Sequence, residues 1–415
     1  MSKVVIIGGG IIGLNCAYYL QKEGYDVTVI DHGNITDGCS FGNMGYISPS
    51  HFTPIATPGI ISQGLKWMLK SSSPFYIKPR LNMDLIRWGM SFWKSANATK
   101  MAENIPHLNN LLQLSRSLMV DIKQDLSDSF DMIEKGCWML YKQKKTGEHE
   151  KYLADEAEQM GLKTIICNAQ QVQQYETQVE VNVAGGVLYL DDCHINSRKL
   201  MQGLHTYLQN KGVTFYLNSE VKSFERSGDK ISGVIINNQL LTFDELVIAN
   251  GSWMQQLSKS LGLYVPLQPG KGYSIMYDNL ENNLQYPSIL VDDRTATTPI
   301  EKWLRIGGTM ELSGHSDNIL DKRVMAVYNA FNKYYPSMKL SQPDIKKAWF
   351  GYRPISPDGM PYIGRHKSFK NLVFAGAHAM LGVSAAAATG KLVKEIVSHQ
   401  STTINIEAFN PDRFN

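Results

Sequence analysis

The chain has no Cys-x-x-Cys pair; its five cysteines, Cys16, Cys39, Cys137, Cys167 and Cys193, are scattered and odd in number. That pattern excludes a disulfide framework and a zinc cage, and it fits reduced thiols in a cytoplasmic setting with no bound metal. No apolar run approaches the roughly 20 residues of a membrane-spanning helix, and no secretory leader is expected before the first apolar run at Val4. Charge of one sign is also scarce. Lys and Arg number 41 against 38 Asp and Glu, leaving +3 over 415 residues, which is too little for a nucleic-acid-binding surface. Internal repeats and low-complexity tracts are absent. What remains is 43% hydrophobic and 19% charged, the composition of a globular protein with a sizeable core, and the length favours two lobes.

The most informative stretch is the first thirty-one residues. Val4-Val5-Ile6-Ile7 reads as a strand buried on both faces, and Gly8-Gly9-Gly10-Ile11-Ile12-Gly13 follows it at once as G-x-G-x-x-G. A helix is expected from Leu14 to Glu23, then a second strand, Val27-Thr28-Val29-Ile30, ending on Asp31. The first glycine permits the tight turn and the second lets a pyrophosphate approach the backbone. The third lets helix and strand pack closely, and the helix N-terminus offers free N–H groups to phosphates. Asp31 stands 18 positions beyond Gly13, where an acid accepts hydrogen bonds from a ribose. These residues point to a bound dinucleotide and leave NAD and FAD open.

Downstream, residues 32–49 are rich in glycine (Gly33, Gly38, Gly42, Gly45) and read as a second loop able to approach a cofactor. Residues 50–100 carry Trp67, Trp88 and Trp93 with Met, Pro, Lys and Arg; the stretch reads either as aromatics packed between lobes or as an amphipathic docking surface. A long helix is expected over 103–130, a charged helix over 148–160 and another helix over 196–210, with a hairpin over 231–243. Residues 264–345 alternate strand patterns and read as an antiparallel-rich lobe. Asp191-Asp192-Cys193-His194 holds metal-ligand residue types, but adjacent residues rarely converge on one ion, so no metal is expected there. Near the end, the strand Asn371–Gly376 is followed by a glycine-bearing turn and a helix of small residues, a second place to receive a polar cofactor edge.

Seven segments together resemble the D-amino-acid oxidase superfamily of FAD-dependent oxidoreductases, and most nearly its bacterial D-amino-acid dehydrogenases of the small-subunit type. They are Gly8-x-Gly10-x-x-Gly13; Ser40-Phe41-x-Asn43-x-Gly45-x-Ile47-Ser48-Pro49; and Ala56-x-Pro58-Gly59 with Lys66-Trp67-Met68. The others are Gly270-Lys271-Gly272-Tyr273-Ser274, Arg305 to Glu311, Gly351-x-Arg353-Pro354-x-x-Pro357-Asp358-Gly359-x-Pro361, and His378-x-x-Leu381-Gly382. The resemblance implies an α/β (α+β overall) fold with a Rossmann-like FAD-binding lobe and an antiparallel-sheet substrate lobe. The expected FAD-binding lobe is residues 1–60, 185–262 and 346–415; the expected substrate lobe is 61–184 and 263–345.

It also implies FAD as cofactor and dehydrogenation of a D-amino acid by hydride transfer from Cα, with electrons passed to a quinone or other carrier. The alternative is an oxygen-using amine oxidase of the glycine or sarcosine type. Peripheral contact with the inner membrane accompanies the cytoplasmic expectation. Expected cofactor contacts are Gly8, Gly10, Ile11, Ile12, Gly13, Asp31 and His32 at the glycine turn, then Ser40, Asn43 and Gly45 in the second loop. Val221, Gly251 and Trp253 follow, with Gly376, His378, Leu381, Gly382, Val383 and Ser384 near the end. Arg353 matches the family's carboxylate-binding arginine, and a bidentate cation suits a substrate carboxylate. Tyr273 is expected to bond that carboxylate or cover the substrate. His378 is expected beside the flavin or as an interior histidine, and Asp358 as a turn cap. Two departures stand out. Asp31 occupies a position more often Glu, and Ala377-His378-Ala379 replaces glycines around the histidine. The run Arg294-Thr295-Ala296-Thr297-Thr298-Pro299 with Gly308-Thr309-Met310-Glu311 looks more like relatives acting on D-hydroxyproline, which implies a cyclic or N-alkyl amino acid as substrate.

Overall fold

The structure, a computed structural model, describes residues 1–60, 62 and 75–415. The apolar run after Lys3 forms the strand Lys3–Ile7 inside a six-stranded sheet. In spatial order the sheet runs Tyr362–Arg365, Leu372–Gly376, Glu245–Ile248, Lys3–Ile7, Asp26–Ile30, Thr214–Tyr216. Every neighbouring pair is parallel except the antiparallel edge pair Tyr362–Arg365 and Leu372–Gly376. Parallel strands need both faces covered. One cover is the helix pair Ile11–Lys22 and Gly382–Val397, where small residues allow close approach: a Cβ on Gly390 would lie 2.5 Å from the Asn15 carbonyl oxygen. The other is a three-stranded antiparallel sheet, Val221–Ser227, Lys230–Ile236 and Gln239–Thr242, which buries Ile231, Val234 and Ile236.

The second lobe is a nine-stranded, mainly antiparallel sheet. Its central strands are Gln268–Tyr277, Trp303–Leu312 and Thr295–Ile300. The helix Asp321–Tyr334 covers one face through Val324, Val327 and Phe331, and Lys144–Gln159 covers the other through Ala154 and Ala157. Two strands cross the expected lobe boundaries. Gly185–Tyr189, expected in the nucleotide lobe, pairs with Cys137–Tyr141 and Thr164–Asn168 in the large sheet. Trp349–Ile355 forms the large sheet's edge beside Gln268–Tyr277. Each is a short apolar or aromatic run, and such runs carry no mark of which sheet they join.

The helix expected over 103–130 spans Ala98–Asp125, started by Asn97, whose side chain accepts from the Lys100 N–H. The aromatic stretch splits. Trp67, Met68, Lys66, Lys70 and Pro74 lie outside the described residues. In the helix Met83–Ser95, Trp88 is buried, stacks on Phe92 and donates its Nε1–H to the Ile355 carbonyl at 2.9 Å. Met83, Ile86, Met90 and Trp93 face outward on the same helix, and Leu81 just before it is exposed.

Candidate active site

The C-terminal ends of Lys3–Ile7, Asp26–Ile30, Glu245–Ile248 and Leu372–Gly376 open onto one cavity of about 2000 Å³, whose opposite wall is the large sheet. Ligand sites in open α/β sheets sit at such strand ends. The volume exceeds the roughly 300–1,000 Å³ of a drug-sized pocket and leaves room for a dinucleotide with a small substrate.

At the glycine turn, Gly8 has φ +112°, and a Cβ there would lie 2.5 Å from the Ala249 carbonyl oxygen. Gly13 stands back from the cavity wall. Its Cβ would fall 1.8 Å from the Gly8 carbonyl oxygen, so it serves the helix–strand packing and not the cavity lining. The helix Ile11–Lys22 has no side-chain cap and no acid in its first turn; the Ser40 hydroxyl accepts the Ile11 N–H at 3.0 Å. Asp31 accepts the Gly9 N–H at 2.5 Å and the Gly33 N–H at 2.7 Å, which fixes its carboxylate at the cavity edge with lone pairs to spare. Gly10, Ile11, Ile12, His32, Val221, Gly251 and Trp253 line the same cavity. Trp253 stacks on His315 with ring centroids 4.8 Å apart.

The second loop is stitched to both lobes. The Asn43 side chain accepts the Gly45 N–H at 2.8 Å, and Gly45 adopts φ +80°. Its Cβ would lie 2.2 Å from the Ile195 carbonyl oxygen, so Gly45, like Gly13, meets backbone and not the cavity. From the large sheet, Arg305 donates to the Asn43 carbonyl, Thr298 to the Met44 carbonyl at 2.7 Å, and the Tyr46 hydroxyl to the Thr297 carbonyl at 2.7 Å. Ser384, at the start of the last helix, accepts the Ser48 N–H and donates to the Tyr46 carbonyl. Asn43 and Met44 therefore meet the cavity on a loop with little freedom.

Gly376, His378, Leu381, Gly382, Val383 and Ser384 line the cavity as a strand–turn–helix. Ala377 and Ala379 both take the left-handed region, φ +60° and +49°, where glycine is unstrained and alanine costs about 1 kcal/mol. His378 is buried, and burial holds its imidazole down at about 3, so it is neutral. The Thr389 hydroxyl donates its one proton to the Ala385 carbonyl, which makes His378 Nε2 the donor in its 2.8 Å bond to Thr389. His378 is thus tied by Nε2 to the last helix while lining the cavity.

On the opposite wall, Arg353 lines the cavity and pairs with no carboxylate among the described residues. One Nη donates to the Thr309 carbonyl at 2.8 Å, and the guanidinium lies over Gly272, where a Cβ would come 2.1 Å from Nη1. Burial lowers this guanidinium to about 10, so it stays charged at neutral pH. Thr309 sits at φ +61° where Lys271 pairs Glu311 and Tyr273 pairs Gly308, a bulge that turns its carbonyl to Arg353. Tyr273 corrects an expectation. Its side chain is buried on the other face of the sheet with Val324 and Phe331 of the covering helix, where its hydroxyl donates to Glu311 at 2.8 Å, and Glu311 is not a lining residue. Tyr273 is thus a core residue behind the cavity wall. Asp358 caps a turn by accepting the Met360 N–H at 3.1 Å and pairs with Arg413 at 2.7 Å.

Sequence reasoning missed Thr309 and Trp349. Thr309 lies inside the segment Arg305 to Glu311, yet its conformation depends on a bulge that no spacing reveals. Trp349 lines the cavity and packs on Gly42 and Gly351, whose Cβ atoms would lie 2.1 and 2.3 Å from its ring. Those two glycines were the available signal.

The chain is 33% identical to a D-amino acid dehydrogenase of Helicobacter pylori over 95% of this chain and 94% of that one. It is 29% identical to a D-amino acid dehydrogenase of Bradyrhizobium diazoefficiens over 99% of each. Among solved structures, glycine oxidase from Geobacillus kaustophilus superposes with a TM-score of 0.80 at 20% identity, covering 100% of this chain and 99% of that one. L-proline dehydrogenase from P. horikoshii superposes with a TM-score of 0.78 at 19% identity, covering 100% and 97%. The family described as DAO, FAD dependent oxidoreductase, matches residues 3–396. With its glycine turn, its two lobes and a match that spans almost all of its length, the chain belongs to the DAO family of FAD-dependent oxidoreductases.

Proposed function

We propose that this enzyme oxidises a D-amino acid at Cα and passes the electrons to a carrier other than oxygen. The observation that carries the reading is Arg353, a cation without a carboxylate partner among the described residues, set in the wall of the cavity. A half-buried cation in a cavity wall favours an anion, and the carboxylate of an amino acid supplies one in bidentate geometry. The relatives named D-amino acid dehydrogenase favour the D series and a dehydrogenase over an oxidase.

The residues present fit FAD. Gly8 and Gly10 leave backbone free for a pyrophosphate, Asp31 would hold a ribose hydroxyl, and the start of the helix Ile11–Lys22 would receive the phosphates. Asn43, His378 and the start of the last helix would hold the ring system. FAD supplies the hydride acceptor when bound. Arg353 fixes the substrate carboxylate, and Trp349 shapes the space beside it and keeps water from it. No side chain need act as a strong base, because a substrate with a neutral amine loses hydride directly; neutral His378 adds no charge against it. Holding the Cα–H in reactive geometry is the chain's main contribution.

A narrower hydroxyproline preference finds little support. Thr295 donates to the Asp293 carbonyl, Thr297 bonds Ser288, and Thr298 bonds the Met44 carbonyl, so all three threonine hydroxyls of that run are engaged. No helix among the described residues is long and apolar enough to cross a membrane. The outward face of Met83–Ser95, with Met83, Ile86, Met90 and Trp93 beside Arg87 and Lys94, supports peripheral contact with an anionic membrane. Gly89, Phe92 and Trp93 of that helix also line the cavity, which puts the membrane-facing side near a route for a lipid-soluble acceptor. The test is steady-state turnover of D-alanine and other D-amino acids with an artificial dye under nitrogen and with oxygen alone. Dye reduction without stoichiometric peroxide supports the dehydrogenase; equal turnover with oxygen alone makes the enzyme an oxidase.

A further inference from the structure

Glu150, on the helix Lys144–Gln159, lines the same cavity as Arg353 yet is only 6% exposed. Among the described residues its carboxyl makes no hydrogen bond and no ion pair. A buried carboxyl without a donor is costly, and burial pushes this one up to about 7. Its neighbour Asp292 differs sharply. It accepts from the Lys142 N–H, from the Thr146 hydroxyl and from the Tyr334 hydroxyl, so its oxygens are engaged. Arg294 attracts Glu150, but it is itself exposed, lines the cavity and forms no ion pair among the described residues.

The large sheet places this pair near the substrate end. Thr295 pairs with Gly308, so Arg294 stands one strand spacing, about 4.8 Å, from the Gly308–Thr309 bulge whose carbonyl holds Arg353. The guanidinium that receives a substrate carboxylate and the unpartnered carboxyl of Glu150 thus line one cavity, with Arg294 between them in the sheet. A long lysine-like or arginine-like side chain has the charge to meet Glu150 from a carboxylate held at Arg353. Arg294 opposes a second cation there, but it reaches solvent, where its charge is screened.

We propose that Glu150 is a second recognition point in the cavity, accepting hydrogen bonds from the ammonium or guanidinium end of a long basic D-amino acid whose carboxylate lies on Arg353. This rests on the D-amino-acid reading above. A hydrogen bond to a charged group contributes about 1.5–3 kcal/mol, or roughly ten- to a hundredfold. The test is the ratio of kcat/KM for D-lysine to that for D-norleucine, its apolar analogue, in FAD-loaded wild type, Glu150→Gln, Glu150→Asp and Arg294→Gln. Flavin content reports that each variant is folded. The expected result is a ratio at least fivefold lower in Glu150→Gln, carried by KM, partly restored in Glu150→Asp, and raised in Arg294→Gln, which a merely structural role would not produce. A smaller change in Glu150→Gln overturns the subsite, as does a wild type that oxidises D-norleucine and not D-lysine. Should Glu150→Gln fail to fold, the Arg294→Gln ratio decides: unchanged or lowered, it overturns the subsite. Wild-type flavin reduced by no D-amino acid at all would instead remove the reading beneath it.

Discussion

The Arg353 guanidinium donates to the carbonyl of Thr309 at 2.8 Å, and Thr309 holds that carbonyl in place from a left-handed bulge at φ +61°. The cation is therefore aimed by backbone and not neutralised by a carboxylate. Arg353→Ala is expected to raise KM about 100-fold, since losing one partner of a buried charge pair costs roughly 2–5 kcal/mol, while flavin stays bound. Michaelis constants and the flavin absorbance of the purified variant check this; an unchanged KM removes Arg353 from the site.

Gly272 tests the same geometry without touching the charge. A Cβ there would lie 2.1 Å from Arg353 Nη1 and 2.4 Å from Nη2. The clash is with the end of a flexible side chain, so Gly272→Ala is expected to fold, displace the guanidinium from the Thr309 carbonyl and raise KM by at least about tenfold. Unaltered kinetics would mean that the guanidinium's position over Gly272 is unimportant.

Asp192 sets a pH dependence of stability. It is buried, and burial pushes its carboxyl up to about 7 from 3.8, although Ser50 donates to it through both its N–H and its hydroxyl. A group with a raised folded value binds more protons in the native state. Its contribution to stability is therefore present in full below about 4 and is lost as pH rises through 7. A shift of that size corresponds to about 4 kcal/mol. Asp192→Asn is expected to lose less stability than wild type between pH 5 and pH 8, read from urea midpoints; equal losses contradict this account of Asp192.

The outward face of Met83–Ser95 gives a surface prediction. Met90→Glu with Trp93→Glu removes exposed apolar area and adds charge opposite to the flanking Arg87 and Lys94. Sedimentation with anionic vesicles at low salt is expected to fall several-fold for the double variant, while its flavin content stays that of wild type. Equal sedimentation would assign this face another role.

How much could be read beforehand followed from locality. Gly8, Gly10 and Asp31 were legible because the turn, the helix start and the strand end lie within one short stretch, each with its own chemical requirement. Gly13 and Gly45 were rightly special, but their constraint is a neighbouring carbonyl, Gly8 in one case and Ile195 in the other, and no cofactor atom is needed to explain them. Tyr273 looked like a ligand for a carboxylate; only the fold brings Glu311 to its hydroxyl. Gly185–Tyr189 joined the larger sheet because strand pairing is decided across the chain. Glu150 was one charge on a charged helix until the sheet, the helix and Arg294 were seen around one cavity.

The central claim is oxidation of D-amino acids at the cavity that Arg353 lines. The most direct measurement is anaerobic mixing of the FAD-loaded enzyme with D- and L-enantiomers of several amino acids while the visible absorbance of the oxidised flavin is followed. Rapid bleaching by D-enantiomers, saturable and abolished at the same concentrations in Arg353→Ala, is predicted. Bleaching by L-enantiomers alone, or by no amino acid, would contradict it.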